Sequence, residues 1–290
     1  MAARIAFIAP FIALPGEPQA SRFVDLARQF SNQHQVELVS STFQHFEKRQ
    51  RNNQTERCLP FATKLLPEPG YSTNISFTRL KSHQTWLKQV NAWLADNAGR
   101  FDLIYCACPF TRLPSLVSRH SSAPIIADVQ DLWPQTIITR FMPSLVSRYA
   151  SGSLITRRLL APASGVIAVS RDYLDQVQCS GKRPGLVVPH GVDLSALDAI
   201  RPKERNNRLR LIFVGTIGDN QILDRLIPHL PEACELVVVG EGPALKKLRN
   251  LAALHNKHAL FTGALEHKDC LAWLKSADIA LNAIHPKANI

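Results

Sequence analysis

The chain has 290 residues, 46% hydrophobic and 20% charged, with 34 Lys and Arg against 23 Asp and Glu, a formal net charge of +11. That length has room for two ordinary domains, and the composition excludes a disordered or low-complexity protein. No stretch approaches the ~20 apolar residues a membrane-crossing helix needs. The basic charge comes without a zinc-finger or RNP-like motif, which sets nucleic acid aside as a partner and leaves nucleotide phosphates and acidic lipid headgroups.

In chain order, Arg4 and the apolar residues after it resemble a signal peptide at first sight. The run is short and holds Pro10, with Pro15 and Pro18 following, so residues 5–9 read as a first buried strand. A loop over 10–20 contains Gly16. Residues 21–32 place Phe23, Leu26, Ala27 and Phe30 on one face at helical spacing. Residues 36–39 form a second strand. The segment 44–80, rich in Gln, Asn, Arg and Pro, reads as a long surface segment, and 86–94 restores a helical pattern. Short apolar runs at 102–106, 124–127 and 166–169 are strands of the parallel kind, apolar on both faces. A brief helix at 113–120 separates the first two, and Ser170 is placed to cap the helix after the third. A short buried strand at 186–188 ends in Pro189-His190-Gly191-Val192-Asp193, followed by a charged, turn-rich connector over 201–207.

A fresh apolar strand at 209–214 stops at Gly215. Strands at 235–239, 258–261 and 278–281 then alternate with helices at 223–230, 243–254 and 267–276, the pattern of a parallel sheet covered on both faces. The predicted fold class is α/β: two doubly wound Rossmann-like domains, residues 1–200 and 201–290, facing each other across a cleft. Ligands of such sheets sit at the carboxyl ends of the strands. The six cysteines have neither a disulfide framework nor paired zinc-ligand spacing, and read as reduced, mostly buried thiols.

Four segments carry candidate chemistry, each with a plainer alternative. Gly215-Thr216-Ile217-Gly218 leaves a strand end and precedes a helix, so its amides either hold a diphosphate or simply turn the chain. Val239-Gly240-Glu241-Gly242-Pro243 does the same as a partial G-x-G-x-x-G, with Leu245 at the last position. That fingerprint also leaves a nicotinamide-dependent oxidoreductase open. Asp128 and Asp131, in Asp128-Val129-Gln130-Asp131-Leu132-Trp133-Pro134, follow a strand directly. Carboxylates there orient hydroxyls or take a proton, or cap the next helix. Residues 149–160 combine Leu154, Ile155, Leu159 and Leu160 with Arg157, Arg158 and the preceding Arg148, which suits an anionic membrane surface or a solvated helix face. No histidine cluster has metal-ligand spacing, and no Gly-x-Ser-x-Gly elbow is present.

The ordered set resembles family 4 glycosyltransferases of the GT-B fold, in particular the bacterial branch that builds surface polysaccharides. It comprises Arg22 in Ser21-Arg22-Phe23-Val24-Asp25-Leu26-Ala27, Asp131-Leu132-Trp133-Pro134, Ala168-Val169-Ser170, Val188-Pro189-His190-Gly191-Val192-Asp193, Phe213 to Gly218, Val239 to Pro243, Phe261-Thr262-Gly263, and Ala277-Asp278-Ile279-Ala280-Leu281. The resemblance implies transfer of a sugar from a nucleotide-sugar to a glycan acceptor, lipid-linked in that branch, by an enzyme on the cytoplasmic side and peripheral to the membrane. The acceptor would lie on the N-terminal domain and the donor on the C-terminal one. It places Gly215, Thr216 and Gly218 near the donor diphosphate, Glu241 and Gly242 on the nucleotide side, and Gly263 by the base. Gly16 and Arg22 fall near the phosphates or acceptor, and Asp128 and Asp131 face the acceptor. No cofactor and no metal are implied, because the nucleotide-sugar is itself a substrate and backbone amides with cationic side chains neutralise the leaving diphosphate.

Three departures qualify the resemblance. The basic residue usual after the first C-domain glycine loop is replaced by Asp219, Asn220, Gln221 and Ile222, with Arg225 the candidate to compensate. The first loop has one glycine where many members have two. The sequence reaches Ile290 just after the fourth C-domain strand, before the family's Glu-x-x-x-x-x-x-x-Glu segment, so the second domain is expected to be truncated, weakly active or inactive, with an uncovered sheet edge. The alternative is a non-catalytic GT-B-like partner completed by a second subunit.

Overall fold

The computed structural model describes residues 2–17, 21–51, 59–73, 76–108, 112–131, 158–177, 183–192, 194–218 and 221–284. The chain forms two compact units, Met1–Gly191 and Val192–Ile290.

The first unit runs β1 (Arg4–Ile8), α1 (Arg22–Ser31), β2 (Gln35–Ser41), β3 (Phe43–Gln44), β4 (Arg49–Gln50), β5 (Ala62–Leu66), α2 (Phe77–Asn97), β6 (Leu103–Ala107), α3 (Leu113–Val117), β7 (Ile125–Val129), β8 (Gly165–Ala168), α4 (Arg171–Val177) and β9 (Gly185–Val187). Seven strands make one parallel sheet in the order β5-β2-β1-β6-β7-β8-β9, and β3 and β4 form a separate antiparallel pair. β1 sits centrally, with Ile5 registered against Val36 on one side and Leu103 on the other. Both its faces are buried, which is why four consecutive apolar residues read as one strand rather than an alternation.

One sheet face is covered by α2, whose buried residues Ser82, His83, Trp86, Val90, Trp93 and Leu94 recur every three or four positions. Ser76 caps that helix by accepting from the Arg79 amide at 3.1 Å. Trp86, fully buried, satisfies its indole by donating to the Ser40 carbonyl at 3.2 Å. The other face takes Phe23, Val24 and Ala27 of α1, near Phe7 and Tyr105, whose rings stack 4.8 Å apart.

The second unit runs α5 (Leu194–Asp198), β10 (Leu209–Val214), α6 (Leu223–Leu226), β11 (Cys234–Val239), α7 (Leu245–Leu254), β12 (Ala259–Gly263), α8 (His267–Lys275) and β13 (Ile279–Ala280). Its parallel sheet has the order β12-β11-β10-β13, so both sheets begin 3-2-1-4 in their own strand count. In each, strand order reverses beside the first strand, at β1/β6 and at β10/β13, and the carboxyl ends there are the usual place for a ligand. Apolar clusters lie on both faces of this sheet too.

The predicted alternation holds, with local corrections. The segment 44–80 is not only surface chain: it contains β4, β5 and the start of α2. β5 escapes notice because it is an edge strand, half exposed, between Pro60 and Pro67. The strand expected to be buried at 186–188 is the edge strand β9, with Leu186 59% exposed. The helix expected over 223–230 is only one turn of α helix followed by a 3-10 turn at Ile227–His229, where Pro228 supplies no amide. Ile279 of β13 is 45% exposed. Cys106, Cys108, Cys234 and Cys270 are free thiols. Cys58, Cys179 and the basic stretch before Arg158 lie outside the described residues. Among those residues no helix is long and apolar enough to cross a membrane.

Candidate functional site

In the first unit, the carboxyl ends of β1, β6 and β7 bring one polar group together out of apolar strands. Asp128, on β7, is completely buried. Its Oδ2 accepts from Arg22 Nε at 2.9 Å and from the Tyr105 hydroxyl at 2.6 Å. Arg22 is the first residue of α1, and its Nη1 donates to the Pro189 carbonyl at 2.9 Å, tying the helix start to the chain after β9. Both side chains of the Arg22–Asp128 pair are at most 9% exposed. Burial pushes the Asp128 carboxyl above the usual carboxylate range, opposed by the Tyr105 and Arg22 hydrogen bonds and the charges of Arg22 and His190. Burial and the adjacent Asp128 charge push the Tyr105 hydroxyl up as well.

Among the described residues, three buried polar atoms here have no partner: Asp128 Oδ1, Arg22 Nη2 and, at the helix start, Ser21 Oγ. Unmet buried polar atoms are costly and ask for an explanation. Asp128 Oδ1 is an open acceptor and Arg22 Nη2 an open donor, the reverse of what a hydroxyl offers, since it both gives and takes a hydrogen bond. Asp131 is half-buried and takes no part in the Asp128 hydrogen bonds; its charge instead helps to push up the Tyr173 hydroxyl, after burial.

Gly16 adopts φ +86° with nothing near a would-be Cβ, so it serves the turn between Leu14 and Glu17. That turn is held by Arg51, which sequence reasoning left inside an unread segment. Its guanidinium donates to Glu17 Oε1 at 2.7 Å and Oε2 at 3.0 Å, to the Ile12 carbonyl at 2.7 Å and to the Ser41 carbonyl at 2.6 Å. The Arg51 and Glu17 side chains are 1% and 3% exposed. A lone arginine in a polar stretch carries no sequence signal for such a role.

A second missed group gathers where β2, β5 and α2 meet. Glu68 accepts from Ser41 Oγ and Ser82 Oγ, and the Tyr71 hydroxyl is hydrogen-bonded to His45 Nδ1 and to His83 Nε2. Phe11 packs its ring 4.4 Å from His45, and Arg79 lies 5.5 Å over the Tyr71 ring. Burial pulls both imidazoles down to about 3, with the charges of Lys48 and Arg79 adding to it.

Since a free histidine titrates near 6.5, the unfolded chain binds more protons between pH 3 and 6.5. Each histidine's share of stability is therefore complete above 6.5 and lost as pH falls. Glu68, raised by burial, acts in the opposite sense. His83→Gln is expected to lose about 1 kcal/mol less stability than the parent between pH 7 and pH 5, in urea titrations at both values. Equal losses in parent and variant would refute a neutral buried His83.

In the second unit, β10, β11 and β12 bring Gly215, Gly240, Glu241, Gly242 and Gly263 to one sheet end. Gly215 N donates to the Val239 carbonyl at 3.0 Å, Ile217 N to the Glu241 carbonyl at 2.8 Å, and Gly240 N to the Gly263 carbonyl at 2.9 Å. Gly218 N is taken by Gln221 Oε1 at 2.7 Å. Of the amides over 215–218, these bonds leave out that of Thr216, which is exposed. Glu241 is exposed, with Oε1 3.7 Å from where a Cβ on Gly263 would stand. Arg225 is exposed on α6, one turn beyond the loop. Asp219 and Asn220 lie outside the described residues. Among those residues no group of three His, Cys, Asp or Glu is placed to hold a metal ion.

Comparison with solved structures gives matches along nearly the whole chain. Sucrose-phosphate synthase of Thermosynechococcus elongatus aligns at a TM-score of 0.64 and 14% identity, over 96% of this chain and 74% of its own. HepE of Anabaena, in complex with UDP and glucose, aligns at 0.60 and 14%, over 96% and 73%. A lipopolysaccharide outer core galactosyltransferase, WaaB in its apo form, aligns at 0.58 and 13%, over 96% and 73%. At these identities the likeness establishes the fold, two Rossmann-like α/β units of GT-B type. No curated protein matches significantly. The family described as Glycosyltransferase Family 4 matches residues 19–196, more than half of the sequence, and the chain therefore belongs to that family and is a glycosyltransferase.

Proposed function

We propose that the protein transfers a sugar from a nucleotide-sugar to a hydroxyl of a glycan acceptor, lipid-linked in polysaccharide assembly, with the donor held by the second unit and the acceptor by the first. The observation that carries the reading is the buried Arg22–Asp128 pair, which among the described residues leaves an acceptor on Asp128 and a donor on Arg22 open for a hydroxyl. In the reaction the bond from the sugar's anomeric carbon to the diphosphate breaks, a bond to the acceptor oxygen forms, and the acceptor's proton leaves. Asp128, with raised proton affinity and a free Oδ1, suits that proton. The Thr216 amide and the glycine turns beside it suit the leaving diphosphate, where negative charge grows. HepE's complexes with UDP make uridine diphosphate sugars the first donors to try.

The test is a melting assay with nucleoside diphosphates, then turnover with a nucleotide-sugar panel and lipid-linked acceptors. Protection by at least one diphosphate and its release from the matching donor are expected. Asp128→Asn should keep that protection while turnover falls about a hundredfold. Absence of both protection and turnover across the panel would sink the transfer reading. Wild-type turnover by Asp128→Asn would remove Asp128 from the proton step.

A further inference from the structure

An arginine beside a carboxylate often closes on it as a fork, with two parallel hydrogen bonds from Nε and one Nη to the two carboxyl oxygens. The Arg22–Asp128 pair does not close. Arg22 Nε donates to Oδ2 at 2.9 Å, while Nη2 and Oδ1, the atoms that would complete the fork, are buried and without a partner among the described residues. Two buried groups able to satisfy each other, and kept from doing so, forgo a charge-assisted hydrogen bond. Something has to hold them apart.

Tyr105 is placed to do so. Its hydroxyl donates to the same Oδ2 at 2.6 Å, so one carboxyl oxygen takes both donors and the other takes none. The ring is buried and fixed, stacked on Phe7 at 4.8 Å and edge-on to Phe23 at 6.3 Å. A phenylalanine would fill that packing equally well, and a buried hydroxyl carries a desolvation cost, so packing alone gives no reason for the oxygen. Arg22 is anchored on its far side, where Nη1 donates to the Pro189 carbonyl at 2.9 Å.

We propose that Tyr105 is a positioning residue that keeps the Arg22–Asp128 fork open, leaving Oδ1 and Nη2 available to the acceptor hydroxyl. That use of the open fork rests on the sugar-transfer reading. The open fork itself does not, because it is tested on the free protein.

The groups facing Asp128 are Arg22 from α1, Tyr105 from β6, Cys108 just past β6 and His190 past β9. Tyr105→Phe takes one neutral donor from the carboxylate, and closure of the fork gives it a charged one, roughly twice as strong. The Asp128 carboxyl of the variant should therefore titrate at a pH lower by about 0.5–1. Carbon-13 NMR of aspartate-labelled protein reads this, with Asp128→Asn assigning the signal. In an Arg22→Lys background no fork can form, since lysine is a point donor, and Tyr105→Phe should then move the titration up instead. Turnover needs the carboxylate, so its acid limb should move down with Asp128 in Tyr105→Phe. The acceptor kcat/KM should fall about thirtyfold, with KM for the nucleotide-sugar within about twofold. Circular dichroism should be common to all variants. An upward shift with Arg22 in place, or shifts of the same sign in both backgrounds, would overturn the assignment. A downward shift in a protein that transfers no sugar would support the open fork and count against the transfer reading alone.

Discussion

Arg51→Met is expected to remove about 3–5 kcal/mol of stability, seen as a lower urea midpoint with an unchanged slope. The reason lies in what the substitution strands rather than in what it deletes. Glu17 is 3% exposed and meets the guanidinium through both carboxylate oxygens, and the Ile12, Ser41 and Phe43 carbonyls accept from the same group. Removing Arg51 buries an uncompensated charge and leaves three carbonyls short of a donor. Arg51→Met combined with Glu17→Leu should recover most of the loss, because the pair's mutual attraction only offsets the cost of taking both charges out of water. If the double variant is no better than the single one, the backbone contacts dominate over the ion pair. Arg51→Lys should fall between, since a point charge cannot span four acceptors.

Gly240→Ala and Gly242→Ala are expected to cost about 3–5 kcal/mol each, localised to the second unit. A Cβ on Gly240 would stand 1.9 Å from the Gly215 carbonyl oxygen, and one on Gly242 2.1 Å from that of Ile217. Both obstacles are backbone atoms of a turn held by the Gly215–Val239, Ile217–Glu241 and Ala244–Ile217 hydrogen bonds, so no flexible side chain is there to rotate aside. Both glycines also have positive φ, +136° and +155°. Gly16→Ala is the control: it too has positive φ but nothing within 4 Å, so only backbone strain of about 1–2 kcal/mol applies. Hydrogen exchange should show β10–β12 losing protection in the first two variants while β1, β2 and β6 keep theirs. A uniform loss over both units, or three equal penalties, would contradict the close-approach account.

The parallel strands were legible in the sequence because burial on both faces writes them as apolar runs, as at Ile5–Ile8 and Val237–Val239. β5 was obscure, and β9 was misread as buried, for the converse reason. An edge strand needs little apolar surface, so Lys64 and Gly185 sit in strands without protest. Asp128 and the glycine turns were singled out because they lie next to strand ends, where a change from apolar to polar or glycine is visible, whereas Arg22, at the start of α1, was singled out only through the family resemblance. Tyr105 was not, since its ring continues the apolar run of β6 and only its hydroxyl reaches Asp128. Arg51, His45 and His83 were missed because their partners are 34, 26 and 12 positions away in the chain, with no period connecting them.

The two glycine turns of the second unit are separate motifs on paper, twenty-odd residues apart, yet their backbones are laced by the Gly215–Val239, Ile217–Glu241 and Ala244–Ile217 hydrogen bonds. They behave as one double-stranded clasp. Neither can be lengthened, shortened or borrowed from another protein without its mate, so any recombination that reshapes this end of the sheet has to carry residues 214–244 as a block.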